Sequence, residues 1–386
     1  MPLTQAERVR ETQPAETAGG LPPESGSDEF AFFTRRRLLQ TLAVVVVLLV
    51  AIYLFVPKLV GLEDALGKLG DADAAWIAAA LGFGLLMFAT YIALFRGVVG
   101  GDVLPLTWRE AYEINMAGLA ASRLFSAGGA GGIALTYWAL RKAGMDARRS
   151  ARRMIAFLAL QYLFYPLSLI VCGVLLRTGV ASGNSAVELT IIPGAIAAII
   201  LGLGALVALI PQDFERRIAA FAQGHRRAGL ARRLAKGPAA VADGVRTAFD
   251  LFSHPKRGGL AVLGAAGFWG SQIAILWAAF EAFGVSVPAA VLVQGFFLGM
   301  VANLIPFAPG GVGAVDAGLI GAYVLFGLPE SSVFAAVLVY RLIAFWMPIP
   351  PGAIAFFQLR GTVGRWEREG RPVERIKALP SPAPAS

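Results

Sequence analysis

The chain has 386 residues, 57% hydrophobic and 15% charged, with 34 Lys and Arg against 25 Asp and Glu and a net charge of +9. Soluble domains carry about a quarter charged residues, so the composition argues against a soluble enzyme, a nucleic-acid binder and a secreted disulfide scaffold, and the basic excess points to an inner membrane surface. Cys172 is the only cysteine, and His225 and His254 have no metal-ligand spacing, so no disulfide, metal or other cofactor is expected.

Residues 1–34 are polar and rich in Pro, Gly, Ser and Glu, which predicts a disordered cytoplasmic tail. Arg35, Arg36 and Arg37 then abut the apolar run Leu38–Val56, long enough for an uncleaved first span. Five further spans are predicted: Ala74–Phe95, Arg153–Leu176, Leu189–Ile210, Gly259–Phe283 and Val333–Phe357. Two regions between them are broken. Glu110–Phe125 runs into a cluster holding Gly128 and Gly129, then Ile133–Lys142. Ala289–Ile305 runs into Pro306-Phe307-Ala308-Pro309-Gly310-Gly311-Val312-Gly313, then Ala314–Phe326. Such clusters break helices. Both regions read as re-entrant hairpins. The fold class is therefore an all-α polytopic membrane protein of about six full spans plus two broken hairpins.

With the N-terminus inside, 27 of the 34 Lys and Arg fall on the cytoplasmic side and only Lys58, Lys68 and Arg177 outside. That bias places both termini in the cytoplasm. Gly128 and Gly310 lie 182 residues apart, and the flanking spans keep nearly that offset. The chain thus divides into a transmembrane domain over 35–360, with repeat one at about 74–176 and repeat two at about 259–357, and a basic flexible tail over 361–386. The first hairpin enters from the cytoplasm and the second from outside, so the repeat is inverted. The cytoplasmic segment 211–258 carries ten Lys and Arg against four Asp and Glu. Val241, Val245, Phe249 and Phe252 recur there at helical spacing, as on an amphipathic helix lying on anionic lipid. A solvated linker helix fits the same pattern.

Helices that start just after glycine clusters present free N–H groups and a positive dipole end, which favour phosphate or carboxylate. Gly128, Gly129, Gly310, Gly311 and Gly313 are therefore candidate binding positions, and a polar cavity is expected between the two elbows. The few charges at membrane depth are candidates by default. Arg341 lies inside the last span. Arg123 precedes the first elbow and either binds substrate or ties down backbone carbonyls. Asp316 sits on the first turn after Gly313, where it serves a substrate or pairs with Arg341. Glu113 opens the first hairpin. Tyr340 and Asn303 complete the candidate set.

The run Pro306–Gly313, the acidic Asp316, and Tyr340-Arg341 in the next span resemble the lysylphosphatidylglycerol synthase transmembrane-region family. That family includes the flippase portion of the bacterial multiple peptide resistance factor. The likeness covers roughly residues 38–360. The family commonly has Glu where this chain has Asp316, which shortens the reach. The resemblance implies a bacterial inner-membrane protein that translocates lipids. The aminoacyltransferase domain of the full-length factor has no room after Arg360, so no enzymatic activity is carried over.

The leading expectation is a lipid flippase that holds a headgroup phosphate at Arg341, with Arg123, between the two elbows. Asp316 or Glu113 would meet a headgroup amine or carry a proton. A secondary transporter of a small anionic solute and a non-transporting partner of envelope-assembly enzymes are the rivals. Membrane lipids are the expected partners. Nucleic acid is not, and a homo-oligomer stays open.

Overall fold

The computed structural model describes residues 70, 72–100, 104–124, 130–210, 228–304 and 313–369. Among them every regular element is helical. The predicted first span Leu38–Val56, the tail 1–34 and the loop 211–227 lie outside the described residues. Local chemistry explains where several helices start. Helix α1 (Ala74–Val99) follows Asp73, whose carboxylate accepts the Ala75 N–H at 2.8 Å. Helix α2 (Trp108–Leu124) opens on a reciprocal cap. The Thr107 hydroxyl accepts the Glu110 N–H at 3.2 Å, and the Glu110 carboxylate accepts the Thr107 N–H at 2.8 Å. Helix α3 is Ala130–Lys142. Helix α4 (Ala147–Tyr162) is capped by Asp146, which accepts the Arg149 N–H at 3.0 Å.

Helix α5 (Phe164–Arg177) continues α4 after a break at Leu163. Pro166 is the cause: its ring meets the carbonyl four residues back, and it lacks an N–H. Helix α6 (Ile191–Ala208) has one buried residue, Ala197, and turns the rest of its surface outward. Helices α7 (Ala228–Ser253) and α8 (Pro255–Ala282) join at His254. The second hairpin is α9 (Ala289–Met300), with a 3-10 extension over Val301–Leu304, and α10 (Ala314–Leu325). The last span is also divided. Helix α11 (Glu330–Arg341) passes into a π turn at Leu342–Trp346 and then into α12 (Ile349–Arg368).

Five helical stretches are long and apolar enough to cross a membrane: Ala74–Val99, Ala147–Arg177, Ile191–Ala208, Pro255–Ala282 and Glu330–Arg368. They coincide with the five predicted spans after the first. Two readings change. The last two long spans of the two halves are not single straight helices. Residues 361–368, expected as part of the tail, belong to α12, where Thr362, Val363 and Trp366 are buried, and the rest of that segment from residue 370 lies outside the described residues.

Packing fixes the site. Helices α1 and α8 form the most extensive helix pair. Their backbones touch where Gly97 meets Ala261 and Gly264 meets Leu94, and a side chain at either glycine would collide with backbone. Helix α2 packs on α12, and α9 on α5, so each hairpin leans on the last helix of the other half. The hairpins close on their own glycines, Gly118 against Gly132 and Gly299 against Gly318.

Candidate functional site

Arg341 ends α11 and is only 8% exposed. Its Nε lies 2.7 Å from Asp316 Oδ1. Asp316 is the third residue of α10, and its other oxygen accepts the Gly313 N–H at 2.8 Å. Gly313 has φ +82°, a left-handed conformation that glycine adopts at no steric cost. One carboxylate thus caps a half-helix and pairs with the buried arginine. The pair is open on one side: the side chain of Asp316 is 31% exposed. Among the described residues the buried Arg341 Nη2 has no hydrogen-bond partner.

The π turn begins at the residue after Arg341. Its signature is the Met347 N–H donating to Leu342 O at 3.0 Å, five residues back. Pro348 has no N–H to offer the carbonyl of Ala344 four residues before it. Arg123 fills that need from the other half of the chain. Its Nη2 donates to Ala344 O at 2.9 Å and its Nη1 to Phe345 O at 2.5 Å. The guanidinium carbon of Arg123 lies 5.1 Å from the Phe345 ring centroid, and that of Arg341 lies 4.5 Å from it. The two cations are therefore within about 10 Å of each other. Among the described residues Arg123 makes no ion pair, and Asp316 is paired with Arg341.

A mid-bilayer arginine costs about 3 kcal/mol on insertion scales. The site carries one such cost without a counter-charge. The positive end of α10 adds to that field. An oxyanion beside Arg341 would satisfy the free Nη2 and balance the charge.

The other predicted residues sit as follows. Tyr340, 2% exposed, points its hydroxyl at Gln272 Oε1, 2.8 Å away, and ties α11 to α8. Glu113 is not brought to the cluster. It lies ten residues before Arg123 on α2, on the order of 15 Å along the axis. It is fully buried, accepts the Thr362 hydroxyl at 2.6 Å and pairs with Arg109 Nε at 2.9 Å. That geometry pins α2 to α12. Asn303 falls in the 3-10 turn, but its side chain lies outside the described residues, as do Gly128, Gly129, Gly310 and Gly311.

Two participants carry no sequence signal of their own. Phe345 is one of 25 phenylalanines, and nothing marks it as the ring between two cations. Gln294 of α9, outside that cluster, is uncharged and equally unmarked in the sequence. It is fully buried, and its Nε2 donates to Leu189 O at 2.8 Å. The sequence signal is Pro348, Pro350 and Pro351, which remove three donors within four residues around the start of α12. No group of three or more His, Cys, Asp or Glu able to hold a metal occurs among the described residues.

Comparison with known proteins gives a family. Three UPF0104 membrane proteins of Methanothermobacter thermautotrophicus are similar to parts of this chain. They are 38%, 33% and 33% identical over 87, 86 and 89 residues. Those segments cover 22%, 22% and 23% of this chain and 26%, 26% and 25% of each relative. The match thus spans about a quarter of these relatives' length. The family model "Lysylphosphatidylglycerol synthase TM region" matches residues 40–352. That range takes in both hairpins, Arg123, Asp316, Arg341 and the π turn. The protein is a membrane protein that belongs to the lysylphosphatidylglycerol synthase transmembrane-region family.

Proposed function

We propose that the protein moves a phospholipid, or a related lipid with an anionic headgroup, across the bacterial inner membrane, with both of its termini in the cytoplasm. The observation that carries the reading is the charge imbalance around Phe345: two guanidiniums, one carboxylate and a buried unpaired Arg341 Nη2. A lipid phosphate passing through would bind Arg341 and the N-terminus of α10. The half-exposed Asp316 would take a headgroup amine or a proton as the phosphate displaces it.

An inverted repeat supplies the motion in this reading. Several correspondences support it. Gly118 and Gly299, the close-contact glycines of the two hairpins, are 181 residues apart, and so are the buried Glu113 and Gln294. The prolines at the two helix breaks, Pro166 and Pro348, are 182 apart. The cross-packing of α2 on α12 matches that of α9 on α5. Helices α9 and α10 have 12 residues each. With its 3-10 extension α9 reaches roughly 26 Å and α10 roughly 18 Å, both short of a core of about 30 Å, as re-entrant segments require. Helix α7 favours a membrane-surface role. It buries Ala242, Ala248 and Leu251 against the body and leaves Val241, Phe249 and Phe252 exposed.

The test is leaflet exchange of a headgroup-labelled phosphatidylglycerol in proteoliposomes. Losing one charge-assisted contact of about 1.5–3 kcal/mol predicts a ~10–100-fold slower exchange for Arg341→Ala. The variant should keep its helix content and elution volume. Exchange at the wild-type rate would remove Arg341 from the transport path. Uptake of a small anionic solute without lipid exchange would favour the solute transporter instead.

A further inference from the structure

We propose that Arg123 is a releasable latch between the two halves. It clamps the π turn while the site is free of anion and lets the turn go when a lipid phosphate binds beside Arg341. The proposal rests on the anion-binding part of the function proposed above.

Three features lead to it. First, Arg123 spends both Nη groups on neutral acceptors, the carbonyls of Ala344 and Phe345, 221 and 222 residues away in sequence. A guanidinium prefers a phosphate, which it can grip with two parallel charge-assisted bonds. Arg341 is close enough for one phosphate to draw both cations. Second, a π turn is an α-helix with one residue too many, a rare feature that recurs at functional sites. Pro348 frees the Ala344 carbonyl, and Arg123 is what holds it. Third, the turn adjoins Arg341 directly, so its width sets the direction from which α12 leaves the site. The two helices that would move are already engaged: α2, which carries Arg123, packs on α12. An anion that takes Arg123 away from the carbonyls therefore frees the π turn from α2, while Glu113 and Thr362 keep α2 on α12 farther along. Binding at the site thereby becomes movement of one half against the other. Arg123 is a positioning residue in this scheme, acting through the π turn.

The sequence allows a clean readout. Phe–Trp linkages occur only at Phe268–Trp269 and Phe345–Trp346. Full-length protein labelled with carbonyl-¹³C phenylalanine and ¹⁵N tryptophan therefore gives two carbonyl–nitrogen correlations by NMR. One reports the latch, and the other is an internal control for folding. In phosphatidylcholine nanodiscs, Arg123→Gln and Arg123→Lys should each move the Phe345 carbonyl resonance and leave that of Phe268 in place. Adding phosphatidylglycerol to the nanodiscs should move the wild-type Phe345 resonance in the same direction. It should move nothing in Arg123→Gln or in Arg341→Ala. A Phe345 resonance indifferent to both Arg123 variants would overturn the latch. So would a phosphatidylglycerol response that survives in Arg123→Gln. A wild type that exchanges phosphatidylglycerol between leaflets, yet shows no lipid response at Phe345, would overturn the latch and leave the transport reading standing. A lipid response at Phe345 without leaflet exchange would do the reverse.

Discussion

A buried carboxylate is costly unless its oxygens are satisfied, and Glu113 shows how this chain meets that demand. Its oxygens meet Arg109 Nε and the Thr362 hydroxyl, far apart in sequence. Thr362→Val keeps the volume and removes the donor, leaving the buried oxygen unsatisfied. The expected loss is about 1–3 kcal/mol of stability, read as a lower midpoint in detergent unfolding. Thr178→Val is the control. Its exposed hydroxyl only bonds back to the carbonyls of its own helix, and the midpoint should not move. At this scale the sequence was half legible. Arg341 and Asp316 stood out because charges at membrane depth are few, and pairing was one of the two roles foreseen for them. For Arg123 the sequence left a choice between substrate and carbonyls, because a freed carbonyl writes nothing into the residue that carries it. Glu113 looked like a transport group because Thr362, its partner, lies in a segment that reads as tail.

Elements were more legible, because helix breaks have chemical causes that the chain displays. The Gly and Pro clusters announced both hairpins. Pro166 and the trio Pro348, Pro350 and Pro351 announced the breaks in the two long spans just as openly. Hydropathy averages over them, because a span with a proline in it is still apolar. Close packing was less legible. A glycine at a backbone contact and a glycine facing lipid look alike in one sequence, yet the structure separates them. Gly264 sits against the backbone of Leu94, whereas a Cβ on Gly202 of α6 would meet nothing. Gly264→Val should force α1 and α8 apart. The expectation is a loss above about 2 kcal/mol and poor recovery from the membrane fraction. Gly202→Ala should be neutral or should stabilise by roughly 0.5–1 kcal/mol, since alanine loses less backbone entropy in a helix. Equal recovery and equal unfolding midpoints for the two variants would show that α1 and α8 do not depend on that contact.

The whole molecule is organised by where its charge is allowed to sit. A net +9 spread evenly would leave cations facing hydrocarbon on every span. By the sequence count most of the Lys and Arg fall on one side, and Arg123, Asp316 and Arg341 gather around Phe345 while the buried Glu113 sits apart with Arg109 and Thr362. The proposed orientation rests on that sorting, and it can be tested directly. Cys172 is buried, so a Cys172→Ser background starts with no thiol. Single cysteines can then replace exposed serines: Ser182 between α5 and α6, Ser286 between α8 and α9, and Ser253 at the end of α7. A membrane-impermeant maleimide added to intact right-side-out vesicles should label Ser182→Cys and Ser286→Cys. Ser253→Cys should react only after the vesicles are opened. The three positions matter as a set. Ser182 and Ser286 follow the last helix of the first half and the first helix of the second. If both face outward while Ser253 faces inward, the two hairpins must enter from opposite sides. A mutual approach of oppositely oriented half-helices then follows from charge sorting alone. Labelling of Ser253→Cys in intact vesicles would reverse the orientation. Labelling of Ser182→Cys without Ser286→Cys would leave the halves in the same sense and remove the physical basis for alternating access.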